Sequence, residues 1–275
     1  MSWSLPVASF WAGEPLSFIE QMVIRSYLDR GCDFTLYLAH PVEGVPEGMV
    51  TRDASDIMEK PGFLAEKPTR KGLAVWSDLF RVALLRKRQV IWVDLDAYCV
   101  RPFDLADGYG VGLNGEGGVL SGVIALPPAC ATLAYMTDFL SADRIHPPWA
   151  DPAWLAKKAK KGRLRPNDLP WGDTGPRLLT HALKECGEFD RALPKPVFYP
   201  LFRQPLAKLW TPGISDSAIE LPETLSVHIF GFTKRLLWTR YNGLPPPGTW
   251  LARAAARHGI DPAAAPAIAE KLPGA

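Results

Sequence analysis

Cysteine is scarce in this chain: Cys32, Cys99, Cys130 and Cys186 are the only four in 275 residues, and no two stand in a C-x-x-C spacing. That excludes a disulfide framework and a cysteine zinc site, and it fits thiols kept reduced in a cytoplasm. Charge of one sign is also in short supply. A formal net charge of +2 offers no electrostatic footprint for a nucleic acid partner. Long apolar runs are missing too: no stretch reaches the length of a membrane span. The start Met1-Ser2-Trp3-Ser4-Leu5-Pro6 lacks the charged and apolar regions of a signal peptide, so a cytoplasmic location is expected. No internal repeat is visible.

What the chain does have is enough apolar residue, 47%, to bury one large α/β core. Val7 to Trp11, Phe34 to Ala39, Val90 to Val93, Tyr109 to Leu113 and Val119 to Leu126 read as strands. Glu14 to Asp29, Asp53 to Met58, Gly72 to Arg88, Ala129 to Leu140 and Pro176 to Glu185 read as helices. Such alternation predicts a single Rossmann-like, mostly parallel sheet flanked by helices, with ligands at the carboxyl edge. The expected domain is 1–260, with an alanine- and proline-rich tail over 261–275. The 27 prolines, about twice the usual share, predict a loop-rich C-terminal part.

The run Val90-Ile91-Trp92-Val93-Asp94-Leu95-Asp96 carries the most chemistry. Its apolar half reads as a strand buried on both faces, ending in two carboxylates one residue apart. Alternation would send Asp94 and Asp96 to opposite sides, but a turn starting at Leu95 brings both to one hard cation. The competing reading is that both are ordinary turn residues. Upstream, Gly72 to Arg88 has a helical apolar spacing, with Asp78 and Arg81 one turn apart. A surface salt bridge is the plain alternative for that pair.

The segment from Ala74-Val75-Trp76-Ser77-Asp78-Leu79-Phe80-Arg81 through Asp94-Leu95-Asp96 to Arg101-Pro102-Phe103 resembles the core of glycosyltransferases with an Asp-x-Asp motif. It is most similar to glycosyltransferase family 32. Phe10-Trp11-Ala12-Gly13, Thr35-Leu36-Tyr37-Leu38, Thr174-Gly175-Pro176 and Val227-His228 extend the likeness in order. Two positions depart from it: Lys87-Arg88-Gln89 replaces a Gly-Gly pair, and Leu120-Ser121-Gly122-Val123 replaces a strand with Asn. The polar contact of that Asn would then fall to Ser121 or Asn114. Further on, Ser226 to Lys234 contains His228, Gly231 and Lys234 in the spacing His-x-x-Gly-x-x-Lys, which resembles a family 8 motif.

The resemblance implies a GT-A fold and a retaining hexosyl transfer from a nucleoside-diphosphate sugar to a glycan or glycolipid hydroxyl. It implies Mn²⁺ or Mg²⁺ held by Asp94, Asp96 and His228, with Lys234 on the diphosphate and Asp94 shared with the ribose. Imidazole and carboxylates suit such an ion, and a bound ion stabilises charge on a leaving diphosphate. Asp78 and Arg81 would face the donor sugar. Asp173 would steady an oxocarbenium-like transition state, against its plainer reading as N-cap of the helix from Pro176. Trp11 would stack on the base or ribose, and Ser121, Gly122 and Asn114 would line the sugar side. His228 alone reads equally as a satisfied strand-end histidine, and Lys234-Arg235 as a solvated charge pair, with Arg235 or Arg240 serving the phosphate.

The run Lys157-Lys158-Ala159-Lys160-Lys161-Gly162-Arg163 beside Trp154 reads as a solvated face or as a peripheral contact with an anionic membrane. Two other functional classes compete. A haloacid-dehalogenase-like phosphatase also carries Asp-x-Asp, but with Thr or Val where this chain has Tyr98. A carbohydrate- or nucleotide-sugar-binding protein would need no metal.

Overall fold

A computed structural model describes residues 3–65, 69–105, 107–160, 162 and 164–268. Strand β1 (Val7–Trp11) leads into helix α1 (Phe18–Leu28), β2 (Phe34–Leu38) and β3 (Val50–Asp53). Next come α2 (Arg70–Lys87), β4 (Ile91–Val93), β5 (Ala97–Cys99), β6 (Gly110–Leu113) and β7 (Val119–Ala125). The remaining elements are α3 (Ala131–Ser141), α4 (Pro152–Ala159), α5 (Pro176–Glu185), α6 (Lys195–Phe198), β8 (Ser226–His228), α7 (Gly231–Tyr241) and α8 (Trp250–Arg257).

Six strands form one sheet in the order β3-β2-β1-β4-β7-β6. β1, β2, β3 and β4 pair in parallel, while β4–β7 and β6–β7 pair antiparallel. The chain is thus α/β with a mostly parallel central sheet, as the alternation predicts. The antiparallel half follows from a short return: Asn114 Oδ1 accepts the N–H groups of Glu116 and Gly118, bending β6 back into β7. Asn114 is a turn-former here, and it does not reach the cleft described below.

β4 shows how the pleat divides the core. Ile91 and Val93 join an apolar cluster with α1, whereas Trp92 points the other way, among Phe80, Leu84 and Leu85 of α2. Alternation along a strand buried on both faces produces this split. A strand followed by a helix on either side therefore fixes where Asp94, the next residue, leaves the sheet.

Several boundaries move from their expected places. α1 begins at Phe18, not Glu14, because the Ser17 hydroxyl accepts the Ile19 N–H while Glu20 accepts the Ser17 N–H, a reciprocal cap. The helix expected over Asp53 to Met58 shrinks to a 3-10 turn, Ala54–Asp56, capped by Asp53. α5 is capped by Gly175 and not by Asp173. β3 is a fully exposed edge strand with no apolar alternation to announce it. The C-terminal part, expected to be mainly loop, also carries α7 and α8.

Packing continues past the expected domain end, since Ile268 is buried in the same core cluster as Trp250. Residues 269–275 of the expected tail lie outside the described residues. No helix among the described residues is long and apolar enough to cross a membrane. In the basic run, Lys157 and Lys160 are exposed and Lys158 lies 5.4 Å from the Trp154 ring centroid. Lys161 and Arg163 fall outside the described residues.

Candidate metal centre and its cleft

The acidic pair is shaped by a turn. The Asp94 N–H donates to the Gly122 carbonyl at 2.7 Å, still in sheet fashion, and the Ala97 N–H donates to the Asp94 carbonyl at 2.9 Å. Leu95 is swallowed by the core, so Asp96 comes round to the side that Asp94 faces. The chain then enters β5, which pairs antiparallel with β8 so that Ala97 stands opposite His228. The Ile229 N–H donates to the Asp96 carbonyl at 2.7 Å and locks that register.

The result is a three-residue cluster. His228 Nε2 lies 3.2 Å from Asp96 Oδ1 and 3.8 Å from Asp94 Oδ2. One donor atom from each of the three residues lies within 4.8 Å of the others, so Asp94, Asp96 and His228 could hold a metal ion. Two carboxylates and one imidazole suit Mn²⁺ or Mg²⁺, and neighbouring ligands of an octahedral ion stand about 3 Å apart. Nδ1 of His228 is buried and has no hydrogen-bond partner among the described residues, so the ring is held by packing instead. Phe230 and Tyr199 supply that packing, with ring centroids 4.2 and 5.6 Å from the imidazole. Phe230 itself sits at φ +62°, a backbone strain that a non-glycine residue tolerates only when its surroundings hold it, as beside functional sites.

A second layer anchors Asp94. The Trp92 Nε1–H donates to Asp94 Oδ1 at 2.9 Å, and Arg81 Nη2 stands 3.2 Å from the same oxygen. Arg81 also donates to the Ser121 carbonyl at 2.5 Å, and to the carbonyl and hydroxyl of Ser77. It pairs with Asp78 at 3.4 Å and lies 4.8 Å from the Trp92 ring centroid. With most of its donors spent on the protein, Arg81 positions the acidic groups and has little left for a ligand.

Charge follows this layout. Burial pushes the Asp94 carboxyl up, but the Arg81 guanidinium, His228 and the Trp92 N–H outweigh it and hold the group below its usual range. Burial raises Asp96, aided by Asp94 and Glu20, against the lowering effect of His228 and Lys234. For His228, burial favours the neutral ring, yet the two carboxylates prevail and raise its pKa. Asp78 is raised chiefly by burial, although Arg81 and the Thr174 hydroxyl oppose that.

The cluster lies in an open cleft of about 1150 Å³ at the carboxyl edge of the parallel strands. Trp11, Asp78, Arg81, Asp94, Asp96, Ser121, Gly122, His228 and Lys234 all line it. Trp11 leans on the chain at Gly13, where a Cβ would stand 2.9 Å from its ring, and its Nε1–H donates to the Glu14 carbonyl at 2.7 Å. Lys234 sits 5.5 Å from the Trp11 ring centroid, and its ammonium is paired with Glu20. Asp78 accepts from the Thr174 hydroxyl at 2.6 Å and presses on Gly175, where a Cβ would stand 2.7 Å from its Oδ1.

Asp173 does not line the cleft. Its buried carboxylate accepts from the Trp149 Nε1–H and from Arg177, each at 3.0 Å, so its N-cap reading is not realised and Gly175 takes that place. Sequence reasoning also passed over Glu20. Its only sequence signal is the Ser17-x-x-Glu20 cap, which gives no hint that the other oxygen holds a cleft lysine. No protein-family model matches the chain, and no curated protein matches it either.

Proposed function

We propose that the protein is a metal-dependent glycosyltransferase that moves a hexosyl group from a nucleoside-diphosphate sugar to a hydroxyl of a glycan or glycolipid. The observation that carries this reading is the convergence of Asp94, Asp96 and His228 at the wall of a cleft large enough for a nucleotide sugar. A nucleotide sugar needs a site that accepts a diphosphate next to polar groups that orient the sugar. The Asp94, Asp96 and His228 cluster with Lys234, and Asp78 with Ser121 beside them, support that reading.

In this reading Asp94, Asp96 and His228 would hold Mn²⁺ or Mg²⁺, which when bound would supply charge stabilisation to a departing diphosphate. Lys234, paired with Glu20 and resting on Trp11, would offer its ammonium to that group. Trp11 offers an aromatic face for the base or ribose. Asp78, fixed by Thr174 and Arg81, presents carboxylate oxygen to a donor-sugar hydroxyl. Ser121 and Gly122 form the adjoining wall. Arg81, with most of its donors spent on the protein, serves in this reading as a positioning residue. It keeps Asp94 ionised and aimed, and preorganisation of this kind is what lets an electrostatic site act without rearranging.

A phosphatase of the haloacid-dehalogenase kind is disfavoured by Tyr98, which is buried against Trp250 and bonded to His258. The deciding experiment is calorimetric titration with Mn²⁺, followed by incubation with a panel of labelled nucleotide sugars and detection of free nucleoside diphosphate. Manganese binding lost in Asp96→Asn, with diphosphate released from one donor by the wild type, is expected. Tight donor binding without release from any donor would replace the transferase reading with a binding protein.

A further inference from the structure

Trp171 and Phe232 are the two most exposed large aromatic side chains among the described residues, at 64% and 48%, and both line the cation cleft. Exposed aromatic rings on the wall of a cleft, with a few polar groups beside them, are the usual lining of a ligand site. The two come from different elements. Trp171 belongs to the Pro170-Trp171-Gly172 turn ahead of α5, and Phe232 to the first turn of α7, four residues beyond His228. Neither is needed by the acidic cluster, the diphosphate cation or the Trp11 platform.

Arg70 joins the two sides. Its Cζ lies 5.8 Å from the Trp171 ring centroid, and its Nη2 lies 3.6 Å from where a Cβ on Gly231 would stand. Apart from that ring contact, Arg70 makes no hydrogen bond or ion pair among the described residues. The cleft wall therefore offers two exposed aromatic rings, each with an arginine over one face, Arg70 on Trp171 and Arg235 on Phe232.

We propose that Trp171, Phe232 and Arg70 form an acceptor subsite that binds a pyranose ring of a glycan. One face of a pyranose is a plane of C–H groups, and it packs against the electron-rich face of an aromatic ring while its hydroxyl rim stays in water. Arg70 donors serve the hydroxyl or ring oxygens at that rim. A concave wall suits a single sugar ring. A lipid surface would require the aromatics on a convex face, where they could enter it together. The acceptor role rests on the glycosyl-transfer reading, but the binding of sugar does not.

The test is an array of immobilised neutral and acidic oligosaccharides probed with the full chain in excess Mn²⁺ and UDP, alongside Trp171→Ala, Phe232→Ala and Trp171→Phe. The wild type is expected to be retained on a subset of glycans. Trp171→Ala and Phe232→Ala should weaken retention by about tenfold, and Trp171→Phe should keep most of it. Calorimetric Mn²⁺ binding should be the same in all four, since neither ring touches the acidic cluster. The subsite is overturned if the wild type is retained on no glycan, if Trp171→Ala is retained equally, or if the substitutions abolish binding to anionic vesicles while glycan retention stays intact. Trp171-dependent retention in a protein that binds no manganese would sink the transferase reading alone. Manganese-dependent donor turnover without such retention would sink this inference alone.

Discussion

A Cβ on Gly122 would stand 2.2 Å from Nε2 of His228 and 2.4 Å from its Cδ2. The imidazole can lie between Asp94 and Asp96 only because β7 carries no side chain at that point. This gives the glycine at position 122 a physical use.

Gly122→Ala is therefore expected to drive His228 out of the cluster. Manganese affinity, read by calorimetry, should fall by at least about tenfold, and overpacking should cost about 1–3 kcal/mol in urea unfolding. Unchanged manganese affinity in a folded variant would remove His228 from the ligand set.

Arg81→Met is expected to destabilise by about 3–5 kcal/mol, because it leaves buried Asp78 and half-buried Asp94 without their counter-charge. Arg81→Lys should recover only part of the loss, since an ammonium cannot reach Ser77, Ser121, Asp78 and Asp94 together. A loss below about 1 kcal/mol for Arg81→Met, the scale of an exposed pair, would show that the network is loose.

Thr174→Val keeps the side-chain shape and deletes the hydroxyl that donates to Asp78. It should cost about 1–3 kcal/mol and weaken donor-sugar binding while leaving manganese affinity unchanged. Equal loss of both would mean that Arg81, which Asp78 and Asp94 share, couples them into one unit.

Asp216 gives the pH prediction. Burial alone would raise its carboxyl, but hydrogen bonds and charge from Arg253 and Arg257 hold it below the usual value. A depressed folded pKa contributes stability above the unfolded value of about 4, and that contribution disappears as pH falls through the folded value. Asp216→Asn should thus melt earlier than the wild type at neutral pH and match it in strong acid. A difference that persists in acid would trace the effect to packing.

Much of this geometry could be read from local sequence, and the reasons for the rest are specific. Buried strands such as Ile91–Val93 show themselves because both faces demand apolar residues, so the position of Asp94 and Asp96 followed directly. His228 was legible only through its spacing to Gly231 and Lys234. What brings it to the acidic pair is the β5–β8 register, and two three-residue strands are too short for any periodicity to show. Asp173 was misleading because an Asp before a Pro-initiated helix satisfies capping rules, whereas the fold offered it Trp149 and Arg177. Trp171 looks like any core tryptophan in sequence, and only three dimensions reveal it standing in water.

The β5–β8 ribbon has a temporal consequence. During synthesis the two aspartates emerge nearly half a chain length before the histidine, with every strand of the large sheet already made. Until Ser226–His228 arrives, β5 has no partner and the cation pocket has only its acidic half. On the metal reading proposed above, full capture of a divalent cation would thus need the finished polypeptide, because a chain ending before Ser226 would lack the histidine of the cluster.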